Sequence, residues 1–146
     1  MNNVSFRLVE YNSPEYTKAV ELREEILREP LGLRFSPEQL KAEEKLIHIV
    51  GVINHEIIST AILVPEDNTL KMRQVAVKST LQRHGIGSQM VKFCESYALE
   101  QGIKSIYCHA RAEAVCFYER HGYVPEGDYF IEVNIRHLKM KKDLQS

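Results

Sequence analysis

The stretch VAVKSTLQRHGIGSQMV, residues 75–91, places two glycines and a cation where a β-branched strand gives way to a helical pattern. A helix N-terminus presents unpaired backbone N–H groups and partial positive charge. Glycine lets an anion reach those groups without a Cβ in the way. Gln82 and Arg83 add side-chain donors. The chemistry on offer is phosphate binding, and the plainer alternative is a tight strand-to-helix turn. Two phosphate motifs are excluded. A P-loop requires GxxxxGK[ST], and no Lys follows Gly85 or Gly87 in that way. A dinucleotide fingerprint requires a third glycine and an acidic residue closing the next strand, where Met90 and the pair Cys108-His109 stand instead. On the glycines alone, the plain turn is preferred.

Other residues carry chemistry of their own. Tyr118, in CFYERHG, is protonated at neutral pH and can donate. Glu132 and His137 lie in DYFIEVNIRHLKMKK, which reads as one long closing strand. Five positions apart on a strand, they face opposite ways unless a bulge intervenes. Cys108 and His109 suggest a nucleophile pair, but adjacent strand residues point to opposite faces. Cys116 reads as packing. His48, His55, His84 and His121 have no metal-ligand spacing, and no metal is expected.

The elements that must position these residues follow from pattern. Val4, Phe6 and Leu8 alternate on one face, as in a first strand. Ser13, Pro14 and Glu15 open a helix that Pro30 should stop. Ser36 and Gln39 have capping-box spacing around Pro37. From Leu46 three β-branched runs, broken at Asn54-His55 and at PEDNT, predict an antiparallel meander. Ile86, Met90, Cys94, Tyr97 and Ala98 recur at helical spacing up to Gly102. IKSIYCHA is a strand, AEAVCFYERHG a short helix closing at Gly122, and the last run a strand. This mixed order argues for α+β or mixed α/β architecture rather than a doubly wound sheet.

A chain of 146 residues with 44% apolar side chains suits one globular domain. A net charge of −1 supplies no field for nucleic acid or an anionic membrane. No apolar run reaches the roughly 18 residues of a membrane span, and MNNVSFRLVE lacks signal-peptide layout. Three cysteines without CxxC spacing read as buried free thiols in a reducing cytosol, so a cytoplasmic location is expected.

The loop QRHGIG, following a strand and opening a helix, resembles the Q/R-x-x-G-x-G/A acetyl-CoA-binding motif of the GNAT superfamily of N-acetyltransferases. HARAEAVCFYERHGYVPEGD, at 109–128, resembles the family's later segment. The resemblance implies a mixed, mostly antiparallel sheet of six to seven strands with about four helices. It implies a pyrophosphate held by backbone N–H groups from Gln82 through Arg83, His84, Gly85 and Ile86 to Gly87, helped by the side chains of Arg83 and Ser88. The pantetheine arm is expected to bond the backbone near Val75 and Val77 as an added strand. Many relatives carry Asn at the place of His109, which implies a contact to the cofactor arm.

The implied reaction moves an acetyl group from acetyl-CoA to the amine of a small molecule or peptide. Tyr118 sits where the family carries a tyrosine near the CoA sulfur. Full proton transfer from a tyrosine to a cysteine-like thiolate is uphill by about 2 kcal/mol, so donation during C–S cleavage is the expectation. A lysine-like amine costs roughly 4.6 kcal/mol to neutralise at pH 7. Glu132 is the candidate binder or base, and His137 a structural residue at least as readily. The alternative from another class is a non-catalytic acyl-CoA-binding or sensor domain. Subunits pairing through an exposed edge of the last strand would give a homodimer.

Overall fold

Strict alternation and turn residues lay down most of the sheet. The computed structural model describes residues 3–144. In chain order the elements are β1 (Ser5–Val9), α1 (Pro14–Arg23), α2 (Pro37–Lys41), β2 (Ile47–Ile53), β3 (Glu56–Glu66), β4 (Thr69–Val77), α3 (Ile86–Glu100), β5 (Ser105–Arg111), α4 (Val115–Arg120), β6 (Val124–Glu132) and β7 (Ile135–Asp143). The seven strands run β1-β2-β3-β4-β5-β7-β6 across one sheet. β4 pairs with β5 in parallel, while β1–β2, β2–β3, β5–β7 and β6–β7 are antiparallel.

The chain forms two compact units, Met1–Leu63 with Gln74–Phe93, and Val64–Arg73 with Cys94–Ser146. In the first, Ile53, Ile58 and Ile86 form a core cluster joined by Val4, Phe6, Val77 and Leu81. Leu8, on the same face, is 46% exposed because β1 is an edge strand of the sheet. α1 begins as its sequence dictates, with the Ser13 side chain accepting from Tyr16 N and Pro14 in the first turn. Pro30 does not stop it. A π-helical turn, Glu24–Arg28, and a 3-10 turn, Glu29–Leu31, carry the chain to Gly32 at φ 71. Pro30 sits where a first turn needs no N–H donor. The Ser36–Gln39 capping box is formed.

One feature of this unit was not anticipated. Arg23 donates twice to Glu43, at 2.8 and 2.9 Å, and the Tyr16 hydroxyl donates to the same carboxylate at 2.9 Å. Arg23 is 1% exposed and Glu43 4%. His48 Nε2 donates to the Glu43 carbonyl at 2.9 Å, and its ring meets Tyr16 edge-on. A charged pair is tolerated in the interior when its lone pairs and protons are matched in this way.

In the second unit Leu70, Met72, Ile106, Cys108, Ala110, Leu138 and Met140 are buried at alternate strand positions. α3 ends at Glu100 and is closed at Gly102, where Gly102 N bonds Leu99 O and Ile103 N bonds Ala98 O. The closing run is not one strand. Val133 and Asn134 turn at φ 51 and 59, and β6 and β7 form a hairpin. Two positive φ values match the twist of a two-residue hairpin turn. The sheet edge opposite β1 is consequently β6, with Val124 61% and Ile131 69% exposed, while the terminal strand β7 lies between β5 and β6. Among the described residues no helix is long and apolar enough to cross a membrane.

Candidate functional site

The loop before α3 is built by three local devices. A 3-10 turn, Ser79–Leu81, follows β4, and Lys78 N bonds Ile58 O at 2.8 Å. The Gln82 side chain donates back to the Val77 carbonyl at 3.0 Å, so one of its amide hydrogens holds the loop to the strand. Arg83 and Gly85 then take φ 70 and 82. The first α-helical bond of α3 runs from Gln89 N to Gly85 O, so the amides of Gly85, Ile86 and Gly87 have no acceptor within the helix. A Cβ on Gly85 would meet nothing within 4 Å; conformation, not space, is what requires glycine.

Arg83 and His84 are exposed, Gly87 and Ser88 half-buried, and Ile86 anchors the helix start in the core cluster. His84 also borders a depression of about 580 Å³ with Asn3, Val4, Ile53, Leu81, Ile86 and Gln89. Val75 and Val77 stand at the end of β4 beyond a kink at Gln74, where φ is 55. Gln74 Oε1 is buried with no hydrogen-bond partner among the described residues. The parallel register of β4 with β5 runs from Thr69↔Ser105 to Met72↔Cys108 and stops before Arg73 and His109.

Tyr118 is placed by the end of α4. Gly122 N bonds Glu119 O and Tyr123 N bonds Tyr118 O, a 5→2 and 6→1 pair closed at Gly122, φ 88. The Tyr118 and Tyr123 rings meet edge-on at 5.4 Å, and the Tyr123 hydroxyl donates to Glu95 at 2.8 Å. Lys142 Nζ reaches the same carboxylate at 3.1 Å. Tyr118 is 6% exposed, and its hydroxyl is hydrogen-bonded to the Cys108 thiol. Burial, and after it Cys108, holds its hydroxyl well above the usual tyrosine range. Burial pushes the Cys108 thiol up to about 12. Cys94 is buried as expected; Cys116 is exposed, on the outward side of the short helix α4.

The hairpin brings together what strand counting kept apart. Glu132 Oε2 lies 3.2 Å from His109 Nδ1, and Glu132 Oε1 lies 3.9 Å from His137 Nε2. His137 Nδ1 donates to the Ile135 carbonyl at 2.8 Å. Phe130 meets the His109 ring edge-on and stacks on His137. Cys108 and His109 do face opposite ways, one buried and one half-buried. Lys71, passed over in the sequence, lies on the Tyr107 side of β4. Burial and then Arg73 draw its ammonium below the usual lysine range, with Glu132 and Glu66 opposing.

A carboxylate bonded to one imidazole and facing a second can take an N–H donor, and a protonated buried hydroxyl can supply a proton. A glycine-hinged helix start can take an anion. The family model described as an acetyltransferase (GNAT) domain matches residues 19–144. The N-acetyltransferase YjcF of Bacillus subtilis (strain 168), itself uncharacterised, is 26% identical over 133 residues, covering 90% of this chain and 95% of its own. A candidate N-acetyltransferase from Lactobacillus plantarum has the same fold, with a TM-score of 0.84 at 23% identity over 97% of this chain and 99% of that one. A GNAT family acetyltransferase from Elizabethkingia anophelis with acetyl-CoA bound has a TM-score of 0.76 at 18% identity, over 97% of this chain and 99% of its own. With the family model spanning most of its length, this chain belongs to the GNAT acetyltransferase family.

Proposed function

We propose that the protein is an acetyl-CoA-dependent N-acetyltransferase acting on the amine of a small molecule or peptide by direct attack on the thioester. The observation that carries the donor is the head of α3, where Arg83 and Gly85 at φ 70 and 82 precede three amides without helical acceptors. Those amides, with Arg83, His84 and Ser88, hold the pyrophosphate. Val75 and Val77, beyond the end of the β4–β5 register, offer backbone groups to the pantetheine arm. The bound thioester supplies the activated acetyl group. Glu132 binds an N–H of the acceptor, and we assign His109 to orienting that carboxylate rather than to the donor. Tyr118 donates toward the leaving sulfur; held above the usual tyrosine range by burial and then by Cys108, its hydroxyl is protonated at neutral pH.

A second reading, a non-catalytic acyl-CoA binder, has one observation in its favour: the Tyr118 hydroxyl is buried and engaged by Cys108. Thermal denaturation with and without acetyl-CoA tests the shared part. Ligand at a hundred times Kd adds about 2.7 kcal/mol, several degrees in a chain of this size. An unchanged midpoint at millimolar acetyl-CoA removes both readings. Free-thiol release with a panel of amines separates them, since a pure binder releases none.

A further inference from the structure

Within the β6–β7 hairpin two hydrogen-bond acceptors face each other. His137 Nδ1 lies 2.8 Å from the Ile135 carbonyl, which only accepts, so Nδ1 carries the ring proton. In the neutral ring Nε2 then holds a lone pair, and it faces Glu132 Oε1 at 3.9 Å. That distance is too long for a direct hydrogen bond. Glu132 is oriented by its other oxygen, which accepts a hydrogen bond from His109 Nδ1–H at 3.2 Å. Phe130 stacks on the His137 ring at 23° and 5.9 Å, which fixes the direction of the lone pair. His137 is 5% exposed, whereas the Glu132 side chain is 45% exposed, so a donor reaches the pair from the Glu132 side. Two acceptors so placed are satisfied by one nitrogen bearing two N–H groups.

We infer that Glu132 Oε1 and His137 Nε2 form the seat of a primary ammonium group on the acceptor, and that His137 Nε2 takes the proton this nitrogen loses before it attacks. The inference rests on the acetyltransfer reading above. The step balances: one N–H bond of the ammonium breaks, its electron pair stays on nitrogen as the nucleophile, and the proton forms an Nε2–H bond. Imidazole becomes imidazolium. The charged and titratable groups around the ring are Glu132, with His109 on its other oxygen, Arg111, opposite His137 in register on β5, and Lys139, two positions along β7 and paired with Glu126 at 2.8 Å. An alcohol brings a single donor and cannot bridge the pair, so the seat selects amines over hydroxyl analogues.

Long-range proton–nitrogen spectra of the histidine rings in the full chain, recorded without acyl donor, test this directly. The expected result is an Nδ1–H tautomer at His137 whose Nε2 resonance moves with n-butylammonium chloride and not with n-butanol. An Nε2–H tautomer, or the same response to both compounds, overturns it. In turnover, His137→Asn keeps a donor near the Ile135 carbonyl but lacks Nε2. Its kcat with any accepted primary amine should fall about a hundredfold, with KM for acetyl-CoA unchanged and the rising limb of the pH–rate profile lost. Wild-type kcat in that variant overturns the proton assignment. If the variant misfolds, the wild-type spectra still decide. They need no acetyl-CoA, so failure of the acetyltransfer reading appears separately, as absent donor binding.

Discussion

At the scale of single residues, Tyr118 and Cys108 divide what chemistry their segment can do. The thiol, pushed up to about 12 by burial, is almost wholly protonated at neutral pH and is no nucleophile. The tyrosine keeps its proton and donates. Tyr118→Phe should lower kcat on the order of a hundredfold, with acetyl-CoA affinity nearly unchanged. It should cost about 1 kcal/mol of stability through the lost hydrogen bond. Steady-state kinetics beside a denaturation curve checks both; unchanged turnover would remove Tyr118 from the mechanism. Tyr118 was legible because a tyrosine in the FYERHG context is a recurring pattern. Its partner Cys108 was not, since a contact between β5 and α4 has no sequence period.

At the scale of elements, two turns shape the segments on which the proposed function rests. The Gly85 turn was legible, because glycine at the mouth of a helix announces positive φ. Gly85→Ala meets no clash and still forces alanine to φ 82, costing about 1 kcal/mol or somewhat more. The variant should melt lower and show a smaller acetyl-CoA-induced shift in the same thermal assay. An undiminished ligand shift would argue that this turn does not hold the donor. The Val133-Asn134 turn was not legible. Val133, β-branched, rarely takes φ 51, so EVNI read as continuous strand and placed Glu132 and His137 on opposite faces. The hairpin puts them 3.9 Å apart instead. The same misreading put the sheet edge on the terminal strand rather than on β6.

At the scale of the whole molecule, stability depends on a buried polar network that composition does not reveal. Arg23→Met leaves the Glu43 carboxylate buried without its cation and should destabilise by about 3–5 kcal/mol in urea denaturation. Replacing Glu43 by Leu as well should recover much of that loss. His48 sets a pH limit. Burial, aided by the Arg23 charge, lowers its pKa in the folded chain, so the unfolded chain binds the proton first. Its contribution is therefore present above about pH 6.5 and is lost as pH falls through the lowered folded value. Urea midpoints measured across that range should decline on the acid side, and less so in His48→Gln.

Local pattern by itself determined the capped starts of α1 and α2, the β2–β4 meander, the apolar stripe of α3 and the glycine turn ahead of it. Each depends on residues within a few positions of one another, where backbone sterics and periodicity act. The tertiary structure alone decided that Arg23 and Glu43 are buried together, that Cys108 holds the Tyr118 hydroxyl, and that Glu132 stands between two imidazoles. Those pairings join residues from 5 to 23 positions apart on separate elements, and strand register and helix packing, not neighbouring letters, bring such atoms within reach.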